Sequence, residues 1–172
     1  IKEAGMDCVK LEGTAKQAPI AQAIVEAGIA VIGHIGLTPQ TAASLGGISV
    51  IGGGSAEAAQ KLLDDALAMQ AAGCWAVLME AVPARLAAII TERLRVPTIG
   101  IGAGPDCDGQ VLVTHEMLGL FPGFGLPFGR RYLEAGQLID QALRQYVDDI
   151  HSGGFPGPEN SFPIDDANLP TQ

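Results

Sequence analysis

The sequence predicts an α/β fold on parallel strands, and three observations carry that prediction. Hydrophobic residues make up 48% of the 172, yet only 5% are aromatic and 23 are glycine. The core must therefore come from Ala, Val, Ile and Leu, the residues that fill a parallel sheet covered by helices. Short apolar runs rich in β-branched residues end in glycine or an acid, and segments with helical apolar spacing alternate with them.

The first run, MDCVKLEG (6–13), reads as a buried strand whose period of two puts Lys10 and Glu12 on one face. QAPIAQAIVEAG (17–28) has helical spacing, with Gly28 where a helix C-cap belongs. AVIGHIG (30–36) is the second strand and carries His34. SAEAAQKLLDDALAMQAAG (55–73) is a helix ending at Gly73, and CWAVLMEA (74–81) is a third strand with Glu80 near its end. VPARLAAIITERLR (82–95) is a helix and PTIGIGAG (97–104) a fourth strand. QVLVTHEML (110–118) is expected as a fifth strand, although about six residues cannot hold the helix that a parallel crossover normally needs. EAGQLIDQALRQYVDDIHSG (134–153) closes the order as a helix, so residues 1–152 are expected as one domain. The tail (153–172) is rich in Pro, Gly and acids and is expected to stay disordered or lie on a partner. This order fits an open doubly wound sheet or part of a (βα)₈ barrel, whose complete form takes about 250 residues.

Composition excludes several functions. A net charge of −9 and a pI near 4.6 disfavour nucleic acid, which needs clustered cations, and the Arg130–Arg131 pair is too small a patch. Cys8, Cys74 and Cys107 have no C-x-x-C spacing and are expected as reduced thiols. No apolar run approaches the ~20 residues of a membrane span and no secretory leader is evident, so a cytoplasmic location is expected. Ile1 to Gly5 reads as the last turn of a helix already under way, which suggests a piece of a longer chain.

In either architecture the reactive groups belong at the C-terminal ends of the strands. That rule selects Lys10, Glu12, His34, Glu80 and the glycines Gly100, Gly102 and Gly104. Singly, each has an ordinary explanation: an ion pair, a core histidine, a helix cap, tight packing. Together they are harder to dismiss, because a carboxylate in an apolar mouth is costly unless it binds a cation or holds a raised pKa. One glutamate on a divalent metal and another acting as base beside a lysine would suit proton abstraction α to a carbonyl. Competing motifs fail: Pro105 stands where a dinucleotide fingerprint needs glycine, GGGSAE (52–57) is no P-loop, and His34, His115 and His151 lack metal-ligand spacing.

On the motifs VKLEG (9–13), GHIGLTPQ (33–40), LMEAVP (78–83), IGIGAGPDCDGQVLV (99–113) and SGGFPGPENSF (152–162), the chain resembles the ketopantoate hydroxymethyltransferases. The resemblance implies a (βα)₈ barrel that binds Mg²⁺ and passes the one-carbon unit of 5,10-methylenetetrahydrofolate to 3-methyl-2-oxobutanoate, giving 2-dehydropantoate through an enolate. By motif, Lys10 matches the family's substrate-binding lysine and Glu12 one of its three metal-binding acids. Glu80 matches the proton acceptor, and His34 a motif residue lining the substrate site. The family's two metal-binding aspartates and a substrate-contacting serine lie on strands ahead of Ile1. The chain is therefore expected to be an N-terminally truncated barrel of about five strands and a C-terminal helix, inactive or poorly soluble alone. The family forms decamers, so a homo-oligomer without nucleic-acid or membrane partners is expected. SVIGGGSAE (49–57) and LPFGRRY (126–132) depart from the family pattern, which bears on loop and subunit contacts. Two alternatives stand beside this reading: a Mg²⁺-dependent enzyme of the phosphoenolpyruvate mutase or isocitrate lyase type, and a non-catalytic fragment offering only an assembly surface.

Overall fold

Alternating apolar residues give strands one greasy face, and that face decides where the helices lie. The computed structural model describes residues 1, 3–40, 49–121, 123 and 125–170. Strands β1 (Cys8–Glu12), β2 (Ala30–Gly36), β3 (Ala76–Glu80), β4 (Thr98–Ile101) and the two-residue β5 (Gly109–Gln110) form one sheet. Every neighbouring pair is parallel, and the spatial order is the chain order. A doubly wound sheet would reverse its order at a switch point; an unreversed series is what an arc of a (βα)₈ barrel requires. Among the described residues the sheet is open, with β1 and β5 at its edges.

Helices α1 (Ala18–Glu26), α2 (Ala56–Ala71) and α3 (Ala84–Arg93) connect the strands. Gly28 and Gly73, the expected C-cap positions, have φ of 79° and 89°. The Ser55 side chain accepts from the Ala58 amide at 3.1 Å and starts α2. A 3₁₀ turn (Ala15–Gln17) follows β1, and the Asp65 carboxylate of α2 accepts from the Ala15 amide at 2.8 Å, fastening that turn to the helix.

Val9, Leu11, Val31, Ile35, Val77 and Met79 pack with Ala21, Leu62, Ala66, Met69, Ala87 and Ile90 of the three helices in one cluster. Burying a side chain of this size contributes about 1.5–3 kcal/mol, so this layer holds the sheet in place. By the period of two, Lys10, Glu12, His34 and Glu80 all project from the opposite face, the one a barrel would enclose. The register agrees, pairing Glu12 with His34 and Gly36 with Glu80.

The run 110–118 does not form the strand expected of it. Pairing with β4 ends at Gln110, and Thr114–Met117 form a short helix, α4. The six preceding residues contain no crossover helix, and the Val113 carbonyl accepts from the Glu116 and Met117 amides, committing the backbone to a helical turn.

The described chain divides into two compact units: Ile1–Leu112 with Pro127–Gly129, and Val113–Leu126 with Arg130–Gln172. The second holds α4 and α5 (Ala135–Ser152), which ends at Gly153 in the left-handed conformation. No residue of α5 is buried. The tail is exposed along most of its length, with 3₁₀ turns at Pro158–Asn160 and Asp166–Asn168. All three cysteines are free thiols, Cys74 buried and the others half-buried. No described helix is long and apolar enough to cross a membrane.

Candidate active site

The structure brings the four selected side chains together at the C-terminal ends of β1, β2 and β3. Lys10 Nζ donates to Glu12 Oε1 at 3.1 Å and lies 2.9 Å from His34 Nδ1. An ammonium can only donate, so His34 Nδ1 accepts and the ring proton belongs on Nε2. Nε2 lies 3.2 Å from Glu80 Oε2, and the two are not aligned as a hydrogen bond, which leaves Nε2 buried without one. Glu12 Oε1 is also 3.5 Å from Nδ1, while Glu12 Oε2 accepts from the Gln40 backbone amide at 3.0 Å.

Burial separates these groups from solvent to different extents. The His34 residue is 2% exposed, whereas the Lys10 side chain keeps 42% of its surface. Desolvation of the imidazolium, reinforced by the Lys10 charge, pushes His34 down to about 4 against the opposing pull of Glu12 and the Leu37 backbone. It is a neutral ring at pH 7. Burial opposes ionisation of Glu12 too, but the Gln40 amide and Lys10 outweigh it and hold that carboxyl below the usual range. Burial dominates at Glu80 and raises its pKa, with Glu12 adding to the rise and Lys10 opposing it.

The backbone that positions Glu80 is tightly constrained. Its carbonyl accepts from the Leu37 amide at 2.9 Å, and a Cβ on Gly36, where φ is 89°, would stand 2.3 Å from that same carbonyl oxygen. Ala81, next in the chain, has φ of 52°, which is uncommon for a residue with a side chain. Its amide donates to the Ile101 carbonyl at 2.9 Å and its carbonyl accepts from Ile51 at 2.8 Å, fixing the strained turn beside the carboxylate.

Among the described residues no three His, Cys, Asp or Glu side chains form a metal cage. Glu12 nonetheless suits one position in an oxygen shell: its carboxylate is held ionised, and oxygen donors suit a hard cation such as Mg²⁺. The chain thus fits as a contributor to a metal site.

Sequence reasoning selected Lys10, Glu12, His34 and Glu80, which the structure gathers, but not Gln40, whose contribution is a backbone amide and therefore carries no side-chain signal. It also missed Ala81, for an alanine gives no hint of positive φ.

A profile of the family described as ketopantoate hydroxymethyltransferase matches residues 1–158. The chain is 52% identical over 166 residues to the 3-methyl-2-oxobutanoate hydroxymethyltransferase of Heliobacterium modesticaldum, covering 96% of this chain and 60% of that protein. It is 52% identical over 162 residues to the protein of the same name from Thermus thermophilus, covering 94% and 62%. The protein of that name from Syntrophobacter fumaroxidans is 51% identical over 162 residues, covering 94% and 57%. The chain thus spans less than two thirds of the length of these curated relatives.

Proposed function

We propose a reaction from an established premise: the chain belongs to the ketopantoate hydroxymethyltransferase family. It supplies the base-bearing part of an enzyme that converts 3-methyl-2-oxobutanoate, 5,10-methylenetetrahydrofolate and water into 2-dehydropantoate and tetrahydrofolate, a step of pantothenate biosynthesis. The observation that carries this reading is the pair of glutamates with opposed ionisation on one face of the sheet, Glu12 held charged and Glu80 pushed toward the neutral form.

The assigned roles follow from the contacts. Lys10, the most exposed of the four, receives the anionic keto acid and stabilises negative charge as it develops on the oxygen. Glu80, desolvated and with no aligned hydrogen bond from the His34 ring, takes the C3 proton; a raised pKa makes it a stronger base than a free carboxylate. His34 borders the keto acid from behind, holding Lys10 on one ring nitrogen and facing Glu80 with the other. Glu12 is the candidate ligand for Mg²⁺, and the family's remaining metal-binding acids belong to strands ahead of β1. Bound there, the metal would polarise the 2-oxo group and acidify C3. The sequential parallel sheet, with all four groups on the face away from the helices, supports a (βα)₈ barrel as the complete architecture. The reading includes a cytoplasmic homo-oligomer acting on small molecules, in keeping with a net charge of −9 and no described membrane-crossing helix.

Hydrogen–deuterium exchange at C3 of 3-methyl-2-oxobutanoate tests the reading, since enolisation needs no folate. With Mg²⁺, exchange is expected when the chain is joined to a segment carrying the family's earlier strands. No exchange in that complete protein would overturn the assignment.

A further inference from the structure

The proposed reaction brings together two substrates, and the four clustered side chains account for only the keto acid. The second substrate must present its one-carbon unit at the same place, so its site must border Glu12 or Glu80. A cavity of about 620 Å³ meets that requirement, because Glu12 is part of its wall. It opens between the turn after β1, the end of β2 and the first half of α2. Ile51, Ala58 and Leu62 supply apolar surface, and Lys16 and Lys61 stand alongside the carboxylates of Glu12 and Asp65.

The two cations stand out in this chain. Acidic residues outnumber basic ones by nine, yet two of its four lysines lie on one cavity. The Lys16 ammonium meets no acidic partner among the described residues. Lys61 donates to Asp65 at 2.8 Å with 65% of its side chain still exposed, leaving donors available. Asp65 is 4% exposed and uses its other oxygen on the Ala15 amide, so one buried carboxylate fastens the turn carrying Lys16 to the helix carrying Lys61.

From this geometry we infer that the cavity receives the reduced folate, with the one-carbon-bearing pterin end toward Glu12 and the glutamate carboxylates toward Lys16 and Lys61. The volume is in the range that takes a ligand of this class. The faces of the pterin and aminobenzoyl rings suit the Ile51, Ala58 and Leu62 surface, and an anionic tail suits the lysines. The orientation follows from chemistry, since the transferred carbon sits at the pterin end and must reach C3 of the keto acid. This inference rests on the reaction proposed above.

The test separates the two. In the complete protein, tetrahydrofolate binding by equilibrium dialysis and folate-free C3 exchange are measured side by side. Lys16→Glu is expected to weaken tetrahydrofolate about tenfold, and its triglutamate form more, corresponding to one lost charge contact or more. Ala58→Trp, which fills the cavity, is expected to abolish binding. Exchange and keto-acid affinity stay at the unsubstituted level in both. As a control, Pro105→Trp blocks a second cavity, of about 670 Å³, lined by Val82, Gly104 and Phe128, and should leave folate binding unchanged. Unaltered folate affinity in Lys16→Glu and Ala58→Trp, or loss only in Pro105→Trp, overturns the inference. Absent exchange in the unsubstituted protein overturns the reaction instead, and the dialysis still reads the cavity.

Discussion

The ends of β1 and β3 each carry a glutamate on the same face of one sheet, yet the two are treated in opposite ways. Glu12 receives two donors, the Lys10 ammonium and the Gln40 amide, and stays ionised below the ordinary range. Glu80 is mostly buried, faces a neutral imidazole out of alignment, and is pushed up. Identical side chains at equivalent strand positions differ because hydrogen-bond donors offset desolvation at one and not at the other. The difference teaches that ionisation here is set by backbone amides and neighbours rather than by residue type.

The largest expected effect comes from removing the proposed base. Glu80→Gln keeps shape and polarity but cannot accept the proton, so C3 exchange should fall about 10²–10⁴-fold with keto-acid affinity nearly unchanged. Exchange at the original rate would move the base to another residue. Next, Glu12→Gln should weaken Mg²⁺-dependent keto-acid binding about 10–100-fold, read by calorimetry with and without the metal. Equal affinities would remove Glu12 from the metal site.

A smaller effect is a shift in pH profile. A base works when ionised, so exchange is lost as pH falls through the raised pKa of Glu80, and the midpoint should lie above 4.5. Lys10 opposes that rise, so Lys10→Met should move the midpoint further up, whatever it does to the maximum rate. A midpoint unmoved by Lys10→Met would uncouple the two residues.

The smallest effect is on stability. Glu80's native pKa lies above its unfolded value, so its favourable contribution belongs to acid pH and is lost as pH rises through that native pKa. At pH 7 the buried charge is a cost, and Glu80→Gln should raise the melting temperature. Glu12 has the opposite sign: its contribution is present above the unfolded pKa and lost as pH falls through the lowered one. Glu12→Gln should therefore lower the melting temperature at pH 7, and the gap between the two variants should close in acid.

Much of this was readable from the chain. Lys10 and Glu12 share a face because a strand repeats every two residues, and four strands and the connecting helices fall within the predicted runs for the same periodic reasons. The fifth run misled because Val111, Val113, Met117 and Leu118 satisfy more than one periodicity, and only backbone pairing chose between them. Asp65 drew no attention in the sequence, because its burial depends on a turn fifty residues earlier, which no local pattern encodes. Within the departure from the family pattern at 49–57, Ser55 serves as the α2 cap, while residues 41–48 lie outside the described set.

Lys10 is already engaged before any ligand arrives, with Glu12 Oε1 at 3.1 Å and His34 Nδ1 at 2.9 Å. An anion that docks on this ammonium must compete with acceptors already in place, so capture here is a substitution rather than an addition. Its heat should be modest because one set of polar contacts replaces another, and much of the selectivity moves to how well the newcomer matches the geometry of the partner it displaces. A loosely fitting carboxylate would be outcompeted by the protein's own glutamate.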